Sequence, residues 1–163
     1  MKKKKASEVL AQGRLYTLED MGAAFPNLSA IKRMILEARA TGESFWELEK
    51  ENDIRHFADR VIIQVSAITG DTLPESELMA TAITDEIGAL LNDFGYDELT
   101  LAEIVLAARL NYYPSLKNPA GNDFVRAQSV GRISVSFLSQ VLYNYKILRN
   151  FMETEFENKV KGF

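Results

Sequence analysis

His56 is the only histidine among the 163 residues, and cysteine is absent. Acid–base or nucleophilic chemistry built on imidazole therefore has one candidate, and thiol chemistry has none. His56 stands beside Phe57 at the edge of an apolar helical stripe, where a boundary role outweighs a catalytic one. Zinc requires several nitrogen or sulfur ligands that this chain does not supply. Asp85-Glu86 and Asp97-Glu98, with Asp93 nearby, are the carboxylates left to hold a cation. Adjacent residues on a helix diverge, so each pair offers at most one ligand to a shared site. The Glu-x-x-His pattern of di-metal bundles, the Walker A sequence and glycine-rich phosphate loops are all missing. The expectation is a non-enzymatic protein with no catalytic residue, metal or cofactor.

Binding chemistry has more to work with. Six cations, Arg109, Lys117, Arg126, Arg132, Lys146 and Arg149, stand against Asp123 alone in residues 109–149. Residues 6–108 hold seven Lys/Arg against nineteen Asp/Glu, and Lys2 to Lys5 form a basic run at the N-terminus. Tyr112, Tyr113, Phe124, Tyr143 and Tyr145 interleave with the six cations. Aromatic rings stack on bases while cations neutralise phosphates, so this segment is the candidate nucleic-acid interface. An acidic pI of about 5.1 and the diffuse spacing of the cations argue against a dedicated DNA binder. The link between the 101–112 helix and the last helix is also too long for a helix-turn-helix.

The elements that must carry these residues are helical throughout. Thr100 and Glu103 form a capping box for a helix over about 101–112, with Leu101, Ile104, Val105 and Ala108 on one face and Pro114 ending it. Asn27 or Ser29 starts a helix to about Ala40, with Leu28, Ile31, Ile35 and Ala38 apolar. Ser44 and Glu47 make a second capping box, and the helix it opens ends near Asn52-Asp53 or runs unbroken to Thr69. Ile54, Phe57, Ala58, Val61, Ile62, Val65 and Ile68 predict a helix over 53–69 that Gly70 closes. Thr72 or Leu73 is the expected cap of the next, with Pro74 in its first turn and Leu78, Met79, Ala82, Ile83, Ile87, Leu90 and Leu91 as its buried stripe. Residues 114–132 read as a long polar connection, and such loops are often functional. Ser134 or Ser136 opens the last helix, whose face is Leu138, Val141, Leu142, Tyr145, Leu148 and Met152. Thr17 caps a short helix near the N-terminus. Trp46 reads as a core anchor, with a partner hot spot as the alternative.

Three stretches taken together carry a resemblance: Leu73-Pro74 with Ile83 and Ile87, Leu99 to Leu110, and Phe137 to Arg149. They resemble small uncharacterised proteins of phages and integrated mobile elements in Bacteroidetes-type bacteria. Those share a pattern L-T-x-x-E-I-x-x-A-x-R, a polar connection, then L-x-x-V-L-x-x-Y-x-x-x-R. The matching positions are Leu99, Thr100, Glu103, Ile104, Ala107 and Arg109, then Leu138, Val141, Leu142, Tyr145 and Arg149. The likeness spans roughly residues 73–149, and the connection here is longer and richer in proline. It implies an accessory role in element replication and no catalytic residues.

The fold expected is all-α, a compact bundle of five to six helices in one domain over residues 13–163, after a basic, mobile arm at 1–12. No window approaches the ~18 apolar residues of a membrane span, so a cytoplasmic protein without membrane contact is expected. The leading functional expectation is a prophage or mobile-element accessory that contacts DNA or a replication protein through the basic segment. The alternative is a helical protein-interaction or homo-oligomeric module with no nucleic-acid role.

Overall fold

The computed structural model describes residues 28–112 and 126–160, with side chains over 30–112 and 126–152. Five α-helices are present there: α1 (Leu28–Arg39), α2 (Glu51–Thr69), α3 (Glu77–Asp93), α4 (Leu101–Leu110) and α5 (Val135–Val160). A single 3-10 turn, Phe45–Glu47, lies between α1 and α2. No strand occurs among the described residues, only two isolated bridges, Ser44 with Thr100 and Thr72 with Arg132. The all-α class is therefore as expected. The arm at 1–12, the helix from Thr17, Lys117 and the first part of the connection lie outside the described residues.

The described chain falls into two compact units. One holds residues 28–36 and 144–160, the other residues 37–112 and 126–143. In the first, α1 buries Ile31 and Ile35, and α5 buries Tyr145, Leu148, Phe151 and Met152. Both sets repeat at three- and four-residue spacing, as a one-sided helical face requires.

The second unit is built around α4. Every residue from Glu103 to Leu110 is buried except Arg109. A helix apolar on nearly all sides belongs inside a core rather than on its surface. Helix α2 packs on both α4 and α3, burying Phe57, Ala58, Val61, Ile62 and Val65. Phe45 adds an edge-on ring contact to Phe57, with centroids 5.2 Å apart.

The ends of α4 are fastened by side chains. At its start, Thr100 Oγ1 accepts the Glu103 amide at 3.1 Å and donates to the Ala38 carbonyl at 2.7 Å. The Glu103 carboxylate, itself 0% exposed, accepts the Thr100 amide at 3.2 Å. One hydroxyl thus caps α4 and also holds the last turn of α1.

Several local expectations are corrected. The Ser44–Glu47 capping box opens a three-residue 3-10 turn and not α2, which starts separately at Glu51. Trp46 is 66% exposed, and its neighbour Phe45 fills the core instead. In a turn of three residues, successive side chains point apart, so only one of the two rings faces inward. Helix α2 ends at Gly70, whose φ of 77° is the left-handed conformation that glycine adopts without strain.

Candidate interaction surface

Between α2 and α3 the chain makes a short extended passage, and its hydrogen bonds determine what is left outside. The Thr72 amide donates to the Gly131 carbonyl at 3.0 Å, and the Ile133 amide donates to the Thr72 carbonyl at 3.3 Å. The Thr72 hydroxyl also donates to Gly131, at 3.2 Å. Thr72 is thereby committed to a parallel bridge and cannot cap a helix. Ser76 does so, accepting the Met79 amide at 3.0 Å, and α3 starts at Glu77. This displaces the expected start by several residues and leaves Leu73 and Pro74 in the lead-in, not in a helical turn.

The shift changes which residues are buried. No residue of α3 before Thr84 is buried, and the apolar face turns inward only from Thr84 through Ile87, Leu90 and Leu91. Leu78 is 83% exposed, and Leu73 and Met79 are about half exposed. The expected stripe therefore holds for the C-terminal half of α3 and fails for its N-terminal half. Beside that half lies a groove of about 700 Å³ whose apolar lining comes from Leu73, Pro74, Met79, Ile83 and Ile133. Glu75 and Arg132 line the same groove.

The groove wall is held from behind. Ser129 Oγ donates to Asp71 Oδ1 and accepts the Gly131 amide at 3.2 Å. Asp71 is 9% exposed, and its second oxygen has no partner among the described residues. Further back, the Asn111 side chain pairs with both backbone groups of Ala127. Its Nδ2 donates to the Ala127 carbonyl at 3.2 Å, and its Oδ1 accepts the Ala127 amide at 2.9 Å. The connection thus returns to the core along one pinned path, from Arg126 to Ile133.

The described basic residues belong to both units. Arg109 and Arg132 are exposed. Arg126 donates from Nη1 to the Asn111 carbonyl at 2.7 Å, completing the C-terminal end of α4 where a cation is favoured. Lys146, half-buried, and Arg149, 5% exposed, belong to the other unit and are engaged within the chain. Of the six expected phosphate contacts, Lys117 lies outside the described residues. Arg149 is largely withdrawn from solvent, whereas Arg126, half-buried, has guanidinium hydrogens beyond the one given to Asn111. The aromatic partners divide the same way: Tyr145 is buried, while Tyr112 and Tyr143 are exposed.

Tyr112 is only half covered, and that partial desolvation raises its hydroxyl above the usual tyrosine range, with the negative charge of Asp71 adding to it and a hydrogen bond with Asn111 opposing it. A folded-state pKa above the unfolded one adds stability that is present below about pH 10 and is lost as pH rises through the folded value. The phenolate transition absent from Tyr112→Phe is expected above the ordinary tyrosine midpoint. Asp71→Asn should lower it without restoring it, since the burial contribution remains. Difference absorbance during an alkaline titration checks both.

A second cleft, about 620 Å³, is lined by Asp53, His56, Phe57 and Arg60 of α2 and by Leu101 and Ala102 of α4. His56 sits on its exposed rim. Among the described residues, no three His, Asp or Glu side chains are grouped as metal ligands, and no helix is long and apolar enough to cross a membrane.

No family model, no curated protein and no solved structure matches the chain.

Proposed function

We propose that the chain is a helical protein-interaction module that acts by contact and docks through the N-terminal half of α3. The observation that carries this reading is a groove with an apolar lining that includes half-exposed Leu73 and Met79, with Leu78, 83% exposed, next to Met79 on the same helix. Single exposed apolar residues are ordinary on a protein surface. Grouped at a concavity, with charged residues at the margin, they are the arrangement of a docking site. Covering such surface recovers roughly 25 cal/mol per Å², which folding leaves unused here.

Leu78→Glu is the direct test. The side chain lies outside the core, so the stability change should stay within about 0.5 kcal/mol. Partner capture by the immobilised full chain should be lost, because a charge at the centre of an apolar contact is desolvated without compensation. Capture unchanged by Leu78→Glu would move the docking site elsewhere.

The second reading is an accessory protein of a prophage or mobile element that touches DNA or the replication machinery through the basic segment. Its support is the exposure of Arg109 and Arg132. Under the first reading, single- and double-stranded DNA show no gel shift at concentrations on the order of tens of micromolar in low salt. A salt-sensitive shift that Arg109→Glu weakens would make the basic segment the working surface.

A further inference from the structure

We propose that the cleft between α2 and α4 binds a short peptide with free amino and carboxyl ends. It shares no lining residue with the groove beside α3, so the site goes beyond the docking reading and is tested separately from it. Its volume of about 620 Å³ falls in the range of small-molecule sites. Asp53, Phe57, Arg60 and Gln64 follow one another along α2 at steps of four, three and four residues, so one face of the helix supplies this wall. Leu48, before α2, and Leu101 and Ala102, at the start of α4, also line the cleft, and each is half-buried.

The charges on the α2 wall are ordered along its axis. Asp53 and Arg60 are separated by two turns, about 10 Å, with the apolar ring of Phe57 between them. That separation exceeds the one-turn reach at which helical side chains pair. His56 lines the cleft one turn before Arg60, and Glu43 adds a second carboxylate. All four charged or titratable residues are exposed, and none has a side-chain hydrogen bond or ion pair among the described residues. A simple anion would be drawn to Arg60 and repelled by the carboxylates, and a simple cation would meet the reverse. A dipolar ligand satisfies both signs. An extended chain advances about 3.3–3.6 Å per residue, so a peptide of about two or three residues spans the distance while a single amino acid does not. Its ammonium end then faces Asp53, and its carboxylate meets the planar fork of Arg60. An apolar side chain between the ends rests on the lining from Leu48, Phe57 and Leu101.

Nuclear magnetic resonance titration of the full chain with the tripeptide alanyl-leucyl-alanine tests this. The backbone amide signals of His56, Phe57, Leu101 and Ala102 should shift and saturate, with half-saturation at or below about 1 mM. Acetylating the amino end or amidating the carboxyl end should each weaken binding about three-fold, the effect of losing one exposed ion pair. Replacing both carboxylates, Glu43→Gln with Asp53→Asn, should abolish the effect of acetylation and keep that of amidation. Replacing the bases, His56→Gln with Arg60→Gln, should do the opposite. These positions are exposed, so the dispersed spectrum of the folded chain should persist in both variants. Absence of saturable shifts up to about 10 mM peptide overturns the inference. So does a doubly blocked peptide that binds as tightly as the free one, or a blocking effect that does not depend on which pair is replaced. None of these outcomes involves Leu78 or the groove beside α3, whose own test is partner capture.

Discussion

Thr100→Val should destabilise the protein by about 2–3 kcal/mol, a large share of the roughly 5–15 kcal/mol that holds a domain folded. The substitution keeps the volume and branching of the side chain and removes only the hydroxyl. That hydroxyl accepts the Glu103 amide at 3.1 Å and donates to the Ala38 carbonyl at 2.7 Å. Loss of an N-cap costs about 1 kcal/mol at an exposed helix end. Here the cost is higher because Thr100 and Glu103 are buried, and water cannot replace the acceptor. The Ala38 carbonyl is less affected, since it also accepts the Thr41 amide at 3.2 Å. Thr100→Ser retains the hydroxyl and should cost well under half as much. Urea titration of the three chains gives the comparison, and equal losses for Val and Ser would show that packing and not hydrogen bonding is what Thr100 provides.

Thr100 also shows what the sequence could and could not convey. The T-x-x-E spacing identified the capping box, and the structure contains both of its reciprocal bonds. The bond to Ala38 joins residues 62 positions apart and leaves no trace in local spacing. The same division holds elsewhere. Apolar periodicity located α2, where burial follows the helical repeat, whereas α4 is buried almost all round and its capping box marked its start. Periodicity misread α3, where seven apolar positions at helical spacing predicted one buried stripe. The first two turns of that stripe are exposed, since period reports which side of a helix is apolar and not how far along its length a neighbour covers it. The misplaced start has a similar origin. Thr72 is a good cap by type, but the Gly131–Ile133 backbone had already engaged it.

The candidate site was less legible than the fold. Counting charge along the chain singled out residues 109–149, and counting cannot tell a surface arginine from a buried one. Arg149 falls on a helical face that also carries Tyr145, Leu148 and Met152, a pattern that could have marked it as inward-facing. Arg126 has no comparable signal, because its acceptor is a carbonyl fifteen residues earlier. The α3 surface was hidden for the opposite reason. Leu78 and Met79 look like core by composition, and exposed apolar residues show themselves only when the packing is known.

The connection that carries Arg126 to Arg132 depends on Asn111, and Asn111→Asp is expected to cost about 2–4 kcal/mol at neutral pH. Asn111 is 8% exposed and serves Ala127 as both donor and acceptor. Aspartate is nearly the same shape. Its carboxylate still accepts the Ala127 amide, but its second oxygen is set against the Ala127 carbonyl, where the amide nitrogen donates at 3.2 Å. Two acceptors then face each other inside the protein with a charge on one of them. Protonation restores a donor, so the folded state should hold the proton of the introduced carboxyl more tightly than the unfolded chain does. A raised folded pKa means that the stability recovered by protonation is present below the unfolded value of about 3.9 and is lost as pH rises through the folded value. Asn111→Leu removes both bonds without introducing a titrating group, and its cost should not follow this curve. The decisive quantity is the stability difference between the Asp and Leu variants from acid to neutral pH, because the titration of every other group cancels between them. A difference that does not change with pH would mean that the 111–127 clamp is solvated and contributes little to the path of the connection. A difference that moves against the aspartate variant as pH rises would establish Asn111 as the residue that clamps the returning connection at Ala127.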